Sequence, residues 1–293
     1  MRQLSAGFLF AMLWASAAVA TKFGIRDADP LILANVRFLV AGLLMLCYVY
    51  ALRRDKQYAL PKGAEWGHLI IFALMNTTIY LGCFVLSMKK VSAGIGSLST
   101  ATSPLFIMLI SAIWVKRKLR WYEIIGVILG LAGVGLATYP LLQDSHASLD
   151  GLAILLFGMV SVSVATVYYS RVQWKLPNIV INGWQVLLGG LLLLPFTGFA
   201  AHFSTTRLTL TFWASVFWLI VPVSITALQL WFYLVKQDAV KASFWLFLCP
   251  IFGFIYSSLL LHEPITAYTF IGTGLVIGGL YLAQREKFTR KAQ

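Results

Sequence analysis

The feature that most constrains this chain is a succession of long apolar stretches, separated by short segments that hold nearly all of its charge. About 20 consecutive apolar residues in a helix are enough to cross the hydrocarbon core of a bilayer. Breaks at charged, polar or proline-containing segments give spans at about residues 4–24, 31–52, 66–88, 93–115, 121–139, 150–171, 179–200, 211–235, 241–261 and 265–284. The sequence therefore predicts an all-α polytopic membrane protein with ten transmembrane helices.

The composition supports the same class and excludes others. Hydrophobic residues make up 60% of the chain and charged residues only 11%, whereas a soluble domain is about half apolar and about a quarter charged. This balance excludes an ordinary globular enzyme, a disordered chain and a nucleic-acid binder. The net charge of +13 comes largely from basic runs between the apolar stretches, where such runs act as topology signals. We expect the lipid bilayer, and no nucleic acid, as a partner.

The orientation follows from the distribution of these basic residues. If the helices alternate and the N-terminus is inside, most Lys and Arg residues fall in cytoplasmic segments, including the runs at 53–62 and 116–120. The outer segments then hold only Lys22, Arg26, Lys89, Lys90 and Arg207. The positive-inside rule therefore predicts that both termini are cytoplasmic, in a bacterial cytoplasmic membrane.

The two halves of the sequence resemble each other at an offset of 146 residues. The offset spans five helices. Because five is odd, the second copy would enter the membrane in the opposite orientation. Chance similarity among helices rich in Gly, Ser and Leu is the alternative explanation. Inverted repeats build many secondary transporters, with the substrate site between the halves. We expect units at 1–144 and 145–293, the second ending in a short basic tail. The offset pairs Pro104 with Pro250, Tyr122 with Tyr268, Gly126 with Gly272 and Gly133 with Gly279.

A set of residues in a fixed order resembles a known family. The set consists of Trp14, Pro30, Arg37, Phe38, Pro104, Gly126, Gly130, Gly133, Pro250, the run His262, Glu263 and Pro264, and the glycines from Gly272 to Gly279. It resembles the drug/metabolite transporter superfamily, in particular ten-helix members built from two EamA domains. The resemblance implies export or exchange of amino acids and other small metabolites. This chain departs from the family at Arg117 and Lys118, where a Glu-Arg pair is usual, so a symmetric pair of glutamates is not carried over.

Arg37 is the only ionisable side chain well inside a predicted span. A charge at that depth costs several kcal/mol, about 3 or more, unless something compensates it. One interpretation is a bidentate anchor for a carboxylate or other anionic group of a substrate. The other is a structural strut that reaches the outer headgroups or bonds helix-end carbonyls. An offset of 148 places the neutral Gln185 at the corresponding position of the second half.

No acidic residue is placed as deep as this arginine, because all ten Asp and Glu residues fall in loops or near helix ends. Drug/proton antiporters of the superfamily use a buried carboxylate, so the resemblance disfavours a cationic drug and favours an anionic, zwitterionic or neutral substrate. A proton relay also needs titratable groups within the membrane. We therefore expect a facilitator or an exchanger.

Two prolines near the middle of their helices, Pro104 and Pro250, remove backbone hydrogen bonds to the carbonyls of Thr100 and Leu246. They are either gating kinks or plain structural kinks. Polar and aromatic residues near the helix centres complete the candidate site, since such groups either join helices or face a wet cavity. Besides Arg37 and Gln185, the expected substrate-binding residues are Trp14, Asn76, Tyr80, Ser99, Thr100, Ser103, Tyr168, Trp184 and Trp245.

The glycines of the fifth and tenth helices suit close contact between helices, either with each other or with a partner subunit. Taken together, these features predict a secondary transporter, exporter or exchanger, of a small organic metabolite such as an amino acid. The alternatives are an intramembrane lipid-modifying enzyme and a membrane-embedded sensor or assembly component. The spans contain no Ser-His pair, His-Glu-x-x-His motif or paired aspartates, so we expect no enzyme, no cofactor and no metal. The oligomeric state is left as monomer or homodimer.

Overall fold

A computed structural model describes residues 2–53, 58–114, 116, 118, 120–143, 147–237, 242 and 245–289. Within these residues the regular structure is helical and no β-strand is present. The prediction of an all-α polytopic membrane protein is therefore confirmed. The α-helices are α1 Arg2–Asp27, α2 Pro30–Cys47, α3 Ala64–Ala73, α4 Tyr80–Ser87, α5 Ala93–Thr100, α6 Ser103–Trp114, α7 Trp121–Gln143, α8 Leu149–Arg171, α9 Asn178–Ala200, α10 Leu210–Trp218, α11 Leu228–Gln237, α12 Leu248–Leu261 and α13 Ala267–Thr289.

Several of these helices join into longer rods through π-helical turns. Tyr48–Arg53 extends α2, Leu74–Ile79 joins α3 to α4, and Leu219–Ala227 joins α10 to α11. A π turn inserts an extra residue into a helix and occurs often at functional sites. The turns at Leu74–Ile79 and Leu219–Ala227 present polar side chains inside otherwise apolar rods.

In the described part of the chain, eight helical segments are long and apolar enough to cross a membrane. Two shorter apolar helices, Leu248–Leu261 and Ala267–Gly279, lie where the ninth and tenth spans were predicted. The protein is therefore a multi-pass protein of the cell membrane. The eight segments are Leu4–Asp27, Pro30–Arg53, Ala64–Ser87, Ala93–Trp114, Trp121–Pro140, Leu149–Arg171, Asn178–Ala200 and Leu210–Val235.

Polar caps define where several helices begin. The Asp29 carboxylate accepts a hydrogen bond from the Leu31 N–H at 3.0 Å, and Pro30 occupies the first turn of α2. Ser92, Ser148 and Thr209 cap α5, α8 and α10 in the same way. Side chains of this kind satisfy backbone N–H groups that have no partner inside the helix.

The helices α7 and α13 pack closely along their glycines. A Cβ atom added to Gly133 would lie 2.5 Å from the Gly272 carbonyl oxygen, and one added to Gly279 would lie 2.6 Å from that of Gly126. Small residues let the backbones of membrane helices approach this closely. The structure shows the first of the two predicted arrangements, in which the glycine-rich helices pack against each other.

The rods are interrupted just before the two prolines singled out in the sequence. Helix α5 ends at Thr100, and α6 resumes at Ser103 with Pro104 in its first turn. A 3₁₀ turn at Trp245–Phe247 likewise precedes α12, where Pro250 is the third residue. A proline in the first turn of a helix lacks only an N–H that would have no helical partner there.

Candidate functional site

A narrow central cavity, with about 40 Å³ of space for water-sized molecules, lies between helices from both halves of the chain. It reaches toward the face at which α1 begins and α8 and α11 end. Its sixteen lining residues are apolar, aromatic or neutral polar: Phe10, Trp14, Phe72, Asn76, Tyr80, Thr100, Ser103, Ile107, Val162, Thr166, Tyr169, Leu228, Trp231, Phe232, Val235 and Leu246.

Five of the residues selected from the sequence line this cavity: Trp14, Asn76, Tyr80, Thr100 and Ser103. Thr100 and Ser103 flank the break between α5 and α6, so the interruption places their side chains in the wall. The other selected residues do not line it, namely Arg37, Ser99, Tyr168, Trp184, Gln185, Trp245, Pro104 and Pro250.

Arg37 lies behind the cavity wall rather than in it. Its side chain is 1% exposed, and its Nε donates a hydrogen bond to the Ser224 Oγ at 3.0 Å. Among the residues that the structure describes, no carboxylate lies within 4.0 Å of Arg37. The guanidinium is thus a buried cation without an ionic partner in the described chain.

A chain of buried amides and hydroxyls continues from Ser224 to the cavity wall. The Asn182 Nδ2 donates to the Ser224 carbonyl oxygen at 2.9 Å, and the Gln185 Nε2 donates to the Asn182 Oδ1 at 3.0 Å. The Gln185 Oε1 then accepts from the Thr77 Oγ1 at 2.6 Å and the Asn76 Nδ2 at 3.2 Å. Both π-helical turns thereby join one network, and polar groups this deep stay in place because their partners satisfy them.

The remaining selected aromatic residues have structural partners outside the cavity. The Tyr168 hydroxyl and the His68 Nδ1 are 2.6 Å apart, and the Trp184 Nε1 donates to the Tyr50 hydroxyl at 3.1 Å. The indole of Trp245 packs so closely on Gly7 that a Cβ there would clash with it. Ser99 is fully buried, and its Oγ has no hydrogen-bond partner among the described atoms.

Sequence reasoning missed several aromatic lining residues, although helical spacing connects some of them to residues that it found. Phe10 lies four residues before Trp14, and Phe72 lies four before Asn76. Residues at i and i+4 share a face of a helix. Once Trp14 and Asn76 had been selected, the same spacing would have predicted Phe10 and Phe72 as lining residues one helical turn away.

The aromatic residues form two groups of near-parallel rings. The Phe10 ring stacks on Trp231, with centroids 5.0 Å apart, and on Trp14 at 5.8 Å. Tyr169 stacks on Phe232 at 5.0 Å, and its ring centroid is 5.2 Å from that of Phe72. Each group combines side chains from the N-terminal and C-terminal halves of the chain.

Polar contacts join the two halves of the chain at the face where α5 and α8 begin. The two carboxylate oxygens of Glu263 accept hydrogen bonds from the backbone N–H groups of Ala93, at 2.8 Å, and Gly94, at 3.1 Å, at the start of α5. Lys90 forms an ion pair with Asp150 at the start of α8. Both contacts join residues from different halves of the chain. A carboxylate is favourable at a helix N-terminus because unpaired N–H groups and the helix dipole point toward it.

Helices α5 and α12 pack closely beside this carboxylate. A Cβ added to Gly94 would lie 2.5 Å from the Phe254 ring, and Gly253 leaves no room for a Cβ against Ser97. Their continuations, α6 and the turn Trp245–Phe247, lie on either side of the cavity. The same two rods therefore contact each other closely near one face and line the cavity farther along.

Comparison with known proteins places this arrangement among membrane transporters. A model of the EamA-like transporter family matches residues 1–139 and 149–284. An uncharacterized transporter of Synechocystis is 28% identical over 94% of this chain and 88% of its own length. The uncharacterized transporter YvbV of Bacillus subtilis is 27% identical over 96% of this chain and 91% of its own.

Two further comparisons concern location and fold. The uncharacterized inner membrane transporter YedA of Escherichia coli K12 is 26% identical, covering 96% of this chain and 91% of its own length. A solved crystal structure superposes with a TM-score of 0.70 at 19% identity and covers 97% of both chains. At that identity the likeness extends to the fold alone.

Proposed function

Because the chain belongs to the EamA-like transporter family, we propose that this membrane transporter carries a small organic metabolite with an acidic group, such as an amino acid or a related anionic or zwitterionic compound, by alternating access. The observation that carries the proposal is the central cavity, which both halves of the chain line, together with the Glu263 contact that joins the two halves at the opposite face. The family is one of transporters, not of enzymes. The protein acts as an exporter or exchanger, as a monomer or homodimer.

Ten membrane helices arranged as two inverted repeats, 1–144 and 145–293, are the architecture behind this mechanism. Helix α7 begins at residue 121 and α13 at residue 267, so their starts differ by 146 residues. The π turns at Leu74–Ile79 and Leu219–Ala227 overlap at the same offset. These correspondences support the repeat, because independent helices have no reason to share both their starting positions and their irregularities. The final residues, 290–293, lie outside the described chain.

With the positive-inside orientation, this conformation can be assigned to one state of the transport cycle. If both termini are cytoplasmic, the open end of the cavity faces the cytoplasm and Glu263 seals the outer face. The opposite state requires Glu263 to leave the N–H groups of Ala93 and Gly94. The breaks before Pro104 and Pro250 are the points at which the outer and inner parts of these rods reorient.

Arg37 supplies the charge that favours an acidic substrate. It is buried, has no carboxylate partner in the described chain, and is linked to the cavity-lining Asn76 through the buried network that begins at Ser224. A substrate carboxylate in the cavity would lower the cost of burying this cation, and the repulsion it exerts disfavours cationic substrates.

Counterflow into proteoliposomes, with radiolabelled amino acids and organic acids as probes, tests the proposed function. We expect exchange of at least one acidic or zwitterionic probe, without a requirement for an imposed pH gradient. Transport that needs a pH gradient and no counter-substrate would contradict the exchanger mechanism.

Substitution of Arg37 tests the substrate class. We expect Arg37→Gln to raise the KM for a carboxylate probe about tenfold, because the attraction between the buried guanidinium and a carboxylate in the cavity is lost. A tenfold change corresponds to about 1.4 kcal/mol. Arg37→Lys should recover part of the loss. Arg171→Gln, at the end of α8, is the control for removal of a cation elsewhere. Undiminished transport by Arg37→Gln would refute the anchor role.

A further inference from the structure

An apolar groove larger than the central cavity opens on the outside of the helices, between α1, α10 and α12. It offers about 470 Å³ of space for water-sized molecules, against about 40 Å³ in the central cavity. Trp218 and Leu260 in its lining are 43% and 55% exposed, so the groove is open toward the bilayer. None of its lining residues is charged: Met12, Leu13, Ser16, Val19, Ala20, Phe23, Thr211, Ala214, Ser215, Trp218, Tyr256 and Leu260.

The groove has the length of one lipid leaflet. Its lining residues on α1 run from Met12 to Phe23, and eleven residues of helix rise about 16 Å. One leaflet contributes about 15 Å, half of the hydrocarbon core of a bilayer. Because the first span is Leu4–Asp27, the groove extends from near the middle of the membrane to near one of its surfaces.

Two polar side chains inside the groove satisfy each other. The Trp218 Nε1 donates to the Ser16 Oγ at 2.8 Å, and this hydroxyl donates to the Leu13 carbonyl oxygen at 2.7 Å. The groove thus suits an acyl chain, whereas a charged solute would lose its hydration there without compensation. Lipid tails are as apolar as the side chains that they contact, so selection among lipids requires a headgroup contact.

A basic pocket adjoins the groove at the end of α1. The Arg26 guanidinium, in this pocket, lies 4.7 Å from the ring centroid of Phe23, in the groove. The consecutive residues Leu260 and Leu261 line the groove and the pocket, respectively. The pocket offers about 420 Å³ and is lined by Lys22, Ile25, Arg26, Met88, Lys89, Ser92, Leu261, His262, Glu263 and Pro264.

Two cations of this pocket are available to an anion. Lys89 is paired with Asp29 at 3.4 Å, and Glu263 accepts the backbone N–H groups at the start of α5. Within the described chain, neither Lys22 nor Arg26 has a carboxylate within 4.0 Å. They are four residues apart and therefore share a face of α1. Such a pair at the membrane surface suits a phosphate group.

We propose that the groove and the basic pocket form one binding site for an anionic phospholipid, with an acyl chain in the groove and the phosphate held by Lys22 and Arg26. The lipid is a bound partner and not the transported substrate, so the inference does not depend on the proposed function. Ordinary surrounding lipid would fill the groove without regard to its headgroup.

Native mass spectrometry of the purified full chain tests the headgroup contact. The probes are palmitoyl-oleoyl phosphatidylglycerol and the matching phosphatidylcholine, offered in equal amounts. We expect the chain to retain one phosphatidylglycerol in preference to phosphatidylcholine. Lys22→Gln and Arg26→Gln should each weaken phosphatidylglycerol binding about fivefold, the usual contribution of one basic residue near an anionic headgroup. Arg26→Lys should retain most of the binding, and Arg171→Gln, at the opposite face, is the control.

Filling the groove tests the acyl-chain contact. Ala20→Trp and Ala214→Trp each place a large side chain where an acyl chain would lie, so both should reduce retention of either lipid. Ala132→Trp is the matched control, since Ala132 is exposed on α7 and does not line the groove. Circular dichroism of each variant checks that the helices are intact.

Four outcomes would overturn the proposal. Equal retention of the two lipids, or a preference that survives both glutamine substitutions, would remove the headgroup contact. Undiminished retention in both groove-filling variants would remove the acyl-chain contact. A lipid-free dimer that Ala214→Trp dissociates would assign the groove to a second copy of the chain. Displacement of phosphatidylglycerol by equimolar sn-glycerol 3-phosphate would assign the basic pocket to a soluble anion.

Discussion

The clearest consequence of the closed face concerns Glu263. Its two oxygens accept hydrogen bonds from the N–H groups of Ala93 and Gly94 at 2.8 and 3.1 Å. In Glu263→Gln one oxygen is replaced by an NH₂ group, which cannot accept, and the charge at the helix N-terminus is lost. Because a hydrogen bond to a charged group contributes about 1.5–3 kcal/mol and a neutral one about 0.5–1.5 kcal/mol, the sealed state should lose about 1–3 kcal/mol. The conformational equilibrium would shift about 5- to 150-fold toward the state that is open at this face.

Thiol accessibility measures this shift directly. The three native cysteines are replaced, and Ser103→Cys places a reporter in the cavity. We expect Glu263→Gln to raise the rate at which a membrane-impermeant maleimide, added at the sealed face, modifies the reporter by a similar factor. Glu65→Gln is the control, since Glu65 accepts a backbone N–H within its own segment, from Lys62 at 2.9 Å. An unchanged rate in Glu263→Gln would refute the idea that this carboxylate holds the face closed.

Three further predictions concern packing, the buried network and the breaks. Gly133→Leu should lower the unfolding temperature in detergent by the equivalent of about 1–3 kcal/mol or more, because the added side chain overpacks the contact between α7 and α13. Gly135→Leu is the control and should have no such effect, since the space around Gly135 is open. Equal effects of the two substitutions would contradict the packing. Gln185→Leu should cost about 1–3 kcal/mol in the same assay, because it leaves buried donors unpaired, and Gln229→Leu should cost less, since the Gln229 Nε2 has no partner among the described atoms. Pro104→Ala should slow counterflow without lowering the unfolding temperature, and an unchanged rate would leave the break with a structural role only.

The membrane class and the positions of the helices could be read from the sequence because they depend on local composition. Predicted bounds such as 211–235 agree with the observed span Leu210–Val235 to within one residue. The breaks before the two prolines could also be predicted from the sequence, since the effect of a missing N–H is confined to one helical turn.

The residues of the site could be predicted from the sequence only in part. Five predicted residues line the cavity, but Ser99, Trp184 and Trp245 do not. Ser99 is one residue from Thr100, which points about 100° away around the helix, so neighbours in sequence have different surroundings. A helix that is apolar all round gives no periodic signal of which face meets lipid, protein or a cavity.

The sequence by itself determined a polytopic membrane protein with deep polar residues, glycine-lined contacts and one buried arginine, because each of these follows from the cost of placing a given residue in lipid. Only the tertiary structure decided that Arg37 donates to Ser224 outside the cavity lining, that aromatic rings from both halves stack in the cavity, and that Glu263 reaches the start of α5. These are contacts between residues far apart in the chain. Local hydrophobicity does not encode these contacts, because they form only when packing determines which faces of the helices meet.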